Sequence, residues 1–197
     1  MAWRVLLCAA FFILHSSLFI SCSEADDTVE EYANWQEKND AYFEQQYQTH
    51  SVKYPSWSKS ASVPVSELVH SSCILVEKME SGSGTTSPYY TDSVKVHYQG
   101  RLIPSPSYAE GYVFDRSFIP PFDPDVDAPS SFAVSGVVDG FSTALQNMHR
   151  GDYWRVIVPY QLGYNKESKT GIPAYSTLVF DIWLVDFWHK EPGDRDE

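Results

Sequence analysis

Residues 136–151, GVVDGFSTALQNMHRG, carry the clearest helical period in the back two-thirds of the chain. Phe141, Ala144, Leu145 and Met148 recur at i, i+3, i+4 and i+7, while Ser142, Thr143, Gln146 and Asn147 face elsewhere, which predicts a short helix with one buried stripe. Asp139 is placed to accept the free N–H groups at its start, and Gly151, after His149 and Arg150, suits the left-handed residue that closes it. The flanking segments have a period of two. In residues 94–102, Val94, Val96, Tyr98 and Leu102 share one face and Lys95, His97, Gln99 and Arg101 the other, so one face is expected to be wet. In residues 177–188, Leu178, Phe180, Ile182 and Leu184 form an apolar face opposite Val179, Asp181, Trp183, Val185 and Phe187. The runs 73–79 and 153–159 add two further strands. The pattern predicts an α+β fold: a curved antiparallel β-sheet wrapped over one short central α-helix.

Residues 32–48 place Tyr32, Trp35, Tyr42, Phe43 and Tyr47 at spacings that fit one helical face. This predicts an N-terminal helical arm, docked on its own domain or on a second copy; the first is expected, with a monomer favoured. Residues 51–64 are rich in Ser and Pro without a period and read as linker. Two polar, proline-bearing insertions, 103–111 and 119–130, interrupt the sheet. The second carries Asp123, Asp125 and Asp127, whose spacing invites a calcium reading, but neither the following Gly nor a bidentate Glu is present, so no metal is expected.

The first 21 residues combine Arg4, an apolar run from Val5 to Leu14 and small residues at Ser16, Ser17 and Ser21, the form of a signal peptide. Ser21-Cys22-Ser23 resembles the end of a bacterial lipobox, with Phe19 in place of the usual leucine; the alternative is an ordinary secretory signal and an incidental Cys22. Acylation of Cys22 implies a membrane held through a lipid anchor, and a cell-envelope location at the outer membrane, on its periplasmic or surface face. Glu24, Asp26, Asp27, Glu30 and Glu31 form an acidic spacer; acidic residues after a lipidated cysteine also resemble the export signal of Bacteroidetes surface lipoproteins. The expected organisation is a signal peptide over 1–21, spacer, arm and linker over 22–64, a domain over 65–190 and a flexible tail over 191–197. Cys73 then has no partner, and no Cys/His set has zinc spacing. The net charge of -12 and the lack of a basic stripe argue against nucleic acid. Neither a Gly-x-Ser-x-Gly nucleophile turn nor a metalloprotease helix is present to support a hydrolase.

Five motifs in order resemble the FK506-binding-protein family of peptidyl-prolyl cis–trans isomerases. Val94-Lys95-Val96-His97-Tyr98-Gln99-Gly100 is similar to V-x-V-x-Y-x-G, and Phe114-Asp115-Arg116-Ser117 to F-D-x-S. Val137-Val138-Asp139-Gly140-Phe141 is similar to V-I-x-G-W, Gly163-Tyr164-Asn165 to A-Y-G, and Thr177-Leu178-Val179-Phe180-Asp181 to T-L-V-F-D. The resemblance implies an isomerase that needs no cofactor, acting on proline-containing polypeptides and binding FK506-like macrolides. It implies Tyr98, Phe114, Asp115, Val138, Tyr164 and Phe180 as catalytic residues, and Phe132, Val137, Phe141 and Ile172 as substrate-binding ones. Within that set, Val138 would offer its backbone N–H and Tyr164 its hydroxyl to substrate carbonyls. Three departures stand out: Phe141 where tryptophan is usual, Asn165 for glycine, and Ser130 where many members have phenylalanine. The alternative function is an FKBP-fold binding or chaperone module with little isomerase activity.

Overall fold

The computed structural model describes residues 30–58, 67, 69–124 and 126–189. The chain order is α1 (Trp35–Thr49), β1 (Val52–Pro55), β2 (Cys73–Glu80), β3 (Ser93–Leu102), β4 (Val113–Arg116), β5 (Ser130–Ala133), α2 (Asp139–Leu145), β6 (Tyr153–Val158) and β7 (Leu178–Trp188). The strands make one antiparallel sheet in the order β1-β2-β6-β7-β3-β4, with β5 pairing the first half of β3 while β4 pairs its second half. β3 and β7 lie side by side over ten register pairs, from Ser93↔Trp188 to Leu102↔Leu178. This long central ladder presents Val94, Val96, Tyr98, Leu178, Phe180, Ile182 and Leu184 to the concave side, where Phe141, Ala144, Leu145 and Met148 of α2 and its trailing turn pack on them. The period-two and period-3.6 patterns meet there in one core, the arrangement expected of an α+β fold.

α2 is shorter than the 136–151 pattern and buried on more than its apolar stripe: Ser142 and Thr143 are buried too. Asp139 is the first helical residue and makes no N-cap bond. Its carboxylate instead accepts the hydroxyls of Ser56 and Ser58 at 2.6 and 2.8 Å, so the chain before the domain, not the helix's own amides, satisfies it. Gly151 does take a left-handed φ of 88°, in the turn that leads into β6.

Residues 52–55, read as linker, form an edge strand on β2, from Val52↔Val76 to Pro55↔Cys73. The proline sits at the end of that strand, where a missing N–H does least harm. The face of β3 read as wet is largely covered. α1 lays Phe43 on Leu75, Ile157 and Val179 of the convex side. The Trp35 indole N–H donates to Ser176 Oγ at 2.8 Å, and Asn39 Oδ1 accepts the Thr177 amide at 2.7 Å, so the arm docks on its own chain. Further along that side, Phe122 packs on His97 and Trp183, and Trp183 stacks on Tyr153. Asp181, buried on the same side, has both oxygens held by Arg101 and Arg155, which is what a charge needs to sit there. Finally, β7 bulges at Val185, since Lys95 faces Asp186 and Val96 faces Leu184. The extra residue shifts the alternation, and Phe187, assigned by strict period two to the outer face, packs against the inner core.

Candidate functional site

The concave side is not filled to its edge. A cavity of about 260 Å³ opens between β3, β5, α2 and β7, lined by Tyr98, Asp115, Phe132, Gly136, Val137, Val138, Phe141, Tyr164 and Phe180. Each lining side chain arrives for a local reason. Tyr98 and Phe180 are on the core-facing positions of two neighbouring strands, and Phe141 rises between them from α2, 6.0 Å from Tyr98 and 5.0 Å from Phe180 by ring centroids. Both contacts are edge-on, at 88° and 89°, the geometry that opposes a positive ring edge to a negative face. Phe132 closes the wall against Tyr98 at 5.5 Å.

At the rim, the Tyr98 hydroxyl donates to Asp115 Oδ2 at 2.6 Å, while Asp115 Oδ1 accepts the Arg116 amide at 2.9 Å. Burial, reinforced by the hydrogen bond and the charge of Asp115, pushes the Tyr98 phenol well above the ordinary tyrosine range, so it stays a neutral donor. Asp115 itself is exposed and is the one carboxylate in the lining. Tyr164, on the loop after β6, lines the same cavity, with the Lys169 ammonium 5.8 Å from its ring centre. Asn165 adopts a φ of 58°, the left-handed conformation that this residue type tolerates where the resembling motif has glycine.

Of the residues implied by resemblance, Tyr98, Asp115, Phe132, Val137, Val138, Phe141, Tyr164 and Phe180 surround the cavity. Phe114 and Ile172 stand behind it. Phe114 backs Phe180 edge-on at 5.8 Å, and Ile172, bridged to Lys169, is buried in the core. Gly136 lines the cavity without having been singled out, since a residue with no side chain leaves no periodic signal. Gly100 matters indirectly. A Cβ there would come 2.6 Å from the Phe114 ring and 2.8 Å from Phe180, so only glycine lets those two rings close the wall.

Among the described residues, no three His, Cys, Asp or Glu side chains gather as a metal would require. Asp127 accepts the Asp123 amide at 2.9 Å, and Asp125 lies outside the described residues.

The family model for FKBP-type peptidyl-prolyl cis-trans isomerase matches residues 84–185, more than half of the chain. A Trypanosoma cruzi protein named macrophage infectivity potentiator is 31% identical over 176 residues, covering 88% of this chain and 80% of that one. This chain belongs to the FKBP-type peptidyl-prolyl cis-trans isomerase family. FkpA of Escherichia coli, an isomerase of the same type, is 34% identical over 113 residues; the match takes in 57% of this chain but only 37% of that relative. The crystal structure of FkpA superposes with a TM-score of 0.55 at 29% identity, over 79% of this chain and 62% of that one. A peptidyl-prolyl isomerase structure from Pseudomonas syringae covers 82% of this chain and 99% of its own, with a TM-score of 0.57 at 23% identity, and so speaks for the fold. The FKBP-type enzyme is thus an isomerase, and its fold is the α+β arrangement described above.

Proposed function

We propose that this FKBP-type isomerase turns X-Pro bonds of exported or surface polypeptides by stabilising the twisted amide in the Tyr98–Phe141–Phe180 cavity. One observation carries the reading: an aromatic hollow whose single acid is tied to a buried neutral phenol at 2.6 Å. Rotation about the peptide bond meets a barrier of about 18–20 kcal/mol, nearly all of it lost resonance, and no bond is broken on the way. Catalysis therefore needs a place that favours the twisted state, not a nucleophile. The proline ring enters the ring-lined hollow, with Phe141 as floor and Phe132 and Phe180 as walls. The Val138 backbone N–H takes the carbonyl of the residue before proline, and the Tyr164 hydroxyl a second substrate carbonyl. Water is excluded from the bond as it twists; the Val138 N–H holds the carbonyl alike before and during the twist, and the dipole that then localises is met by the field of Asp115. Val137 contacts the proline beside Phe132, and Phe114 and Ile172 hold these groups in place.

The decisive test is a protease-coupled isomerisation assay on the chain from Ser23 onward, with and without FK506. Acceleration that FK506 suppresses supports the reading. FK506 binding without acceleration would replace it by the binding or chaperone role, and neither result would leave the cavity without a prolyl ligand.

The location belongs to the same proposal. Cys22 lies outside the described residues, and support comes from Ser21-Cys22 after an apolar run and the acidic residues that follow. A diacylglyceryl cysteine gives more than one acyl chain, enough for stable attachment. Cys22→Ser should abolish fatty-acid labelling and release the protein from the membrane fraction; a variant still labelled would rule the anchor out.

A further inference from the structure

α2 is only seven residues long, and its N-cap, Val138, contributes no side-chain bond to the helix start. Restraint comes from the chain that precedes the domain. Ser56 Oγ and Ser58 Oγ both donate to Asp139 Oδ2, at 2.6 and 2.8 Å. Between them, the Trp57 amide donates to Thr143 Oγ1 at 3.1 Å, and the Thr143 hydroxyl donates in turn to Asp139 Oδ1 at 3.4 Å. Hydroxyl donors on a carboxylate are among the stronger hydrogen bonds. The clasp is also fixed at its other end. Ser56 is fully buried, its amide donates to Ser72 O at 2.8 Å, and β1 just before it is paired with β2 up to Pro55↔Cys73. One rigid sheet edge therefore grips the first turn of α2, directly after the Val137–Val138 stretch that lines the cavity.

We propose that residues 56–58 act as a clasp that positions the Val138 N–H toward substrate, with Asp139 as the positioning residue. The inference rests on the reading above, in which that N–H takes the carbonyl before proline. A donor displaced by a fraction of an ångström loses much of a hydrogen bond's directional gain, so the clasp sets substrate affinity from 83 residues away in sequence. It also means that the working unit extends to β1, well before residue 84, where the family match begins.

The test compares Ser56→Ala/Ser58→Ala, the gentler exposed-site variant Ser58→Ala, and Ser58→Thr in the full chain, by steady-state isomerisation kinetics and by hydrogen exchange at the Ser142 amide, which donates to Val138 O at 2.9 Å and so reports the first turn of α2. The carbonyl contact is made in both ground and transition states, so its weakening appears in KM with kcat held. The double variant should raise KM roughly threefold to tenfold, as expected for one neutral hydrogen bond, and speed Ser142 exchange. Ser58→Ala should do the same to a smaller degree, and Ser58→Thr, which keeps the hydroxyl, should restore wild-type values. A merely structural role would lower kcat in proportion to the folded fraction and leave KM alone. That result, or alanine variants indistinguishable from wild type, would overturn the clasp. Were wild type itself inactive, the functional reading would fall, and Ser142 exchange would decide the clasp alone: faster in the double variant supports it, unchanged refutes it.

Discussion

The hydroxyl of Tyr98 and the carboxylate of Asp115 are joined at 2.6 Å across neighbouring strands β3 and β4, a buried phenol holding an exposed acid at the lip of the cavity. On the proposed mechanism the pair gives Asp115 two separable contributions, a fixed charge beside the twisting amide and an acceptor that keeps the Tyr98 ring in the wall. Asp115→Leu removes both. It should lower kcat/KM by more than Tyr164→Phe, which deletes one neutral donor and should lose roughly threefold to tenfold. Asp115→Asn keeps an acceptor for Tyr98 and should fall between wild type and the leucine variant. Equal activity of Asn and Leu variants in the protease-coupled assay would assign the whole effect to charge.

The same phenol predicts a stability profile at high pH. Burial first, and the bond to Asp115 second, raise the Tyr98 pKa in the folded protein above its unfolded value of about 10. The folded state then holds its proton more tightly. Its stabilising contribution is fully present below about pH 10 and is lost as the pH rises from there through the folded pKa. Tyr42 and Tyr153 are shifted the same way by burial, so wild type should lose stability above about pH 10 by more than one residue's share. Tyr98→Phe should flatten part of that loss. Denaturant titrations at pH 8, 10 and 11 would show it, and parallel curves for both proteins would contradict the shift.

On the convex side, Asn39 is fully buried, donating to the Trp35 carbonyl at 2.7 Å and accepting the Thr177 amide at 2.7 Å. Asn39→Ala would leave that amide, just ahead of β7, without its partner in a dry contact. An unsatisfied buried donor costs about 1–3 kcal/mol. The unfolding midpoint should drop accordingly, and α1 should become open to limited proteolysis. An unchanged midpoint would mean that α1 contributes little to folding despite its packing.

Sequence patterning reveals much of the sheet: β3 and β7 follow from alternation, β2 and β6 from their β-branched runs, and α2 from its apolar stripe. It fails where a partner decides. Val52–Pro55 has no alternation to read and becomes a strand because β2 offers an open edge. On the polar face of β3, His97 is buried against Phe122 and Arg101 is held by Asp181 of β7, and Phe187 changes sides through one bulged residue. The cavity lining was legible through the ordered motifs around Tyr98, Asp115 and Phe141, since these combine pattern and position. Asp139 was legible only as a helix-start residue. Its actual partners, Ser56 and Ser58, carry no signal that points across the intervening chain.

The floor residue offers the sharpest probe of where substrate sits. Phe141 is 4% exposed and held edge-on between Tyr98 and Phe180, so its ring is both core and cavity floor. Phe141→Trp adds volume upward into the cavity or sideways into those two rings. Entry into the cavity places an indole under the proline, as in the resembling motif, and should hold or raise affinity for a prolyl ligand with little loss of stability. Entry into the wall over-packs the core, with a typical loss of about 1–3 kcal/mol. Titration with FK506, read against the unfolding midpoint of the same variant, separates the two. The expected outcome is affinity equal to or above wild type with the midpoint nearly unchanged. A strongly destabilised protein whose affinity matches wild type would show that Phe141 serves packing alone, and would move the ligand contact away from this floor toward Phe132 and Val137.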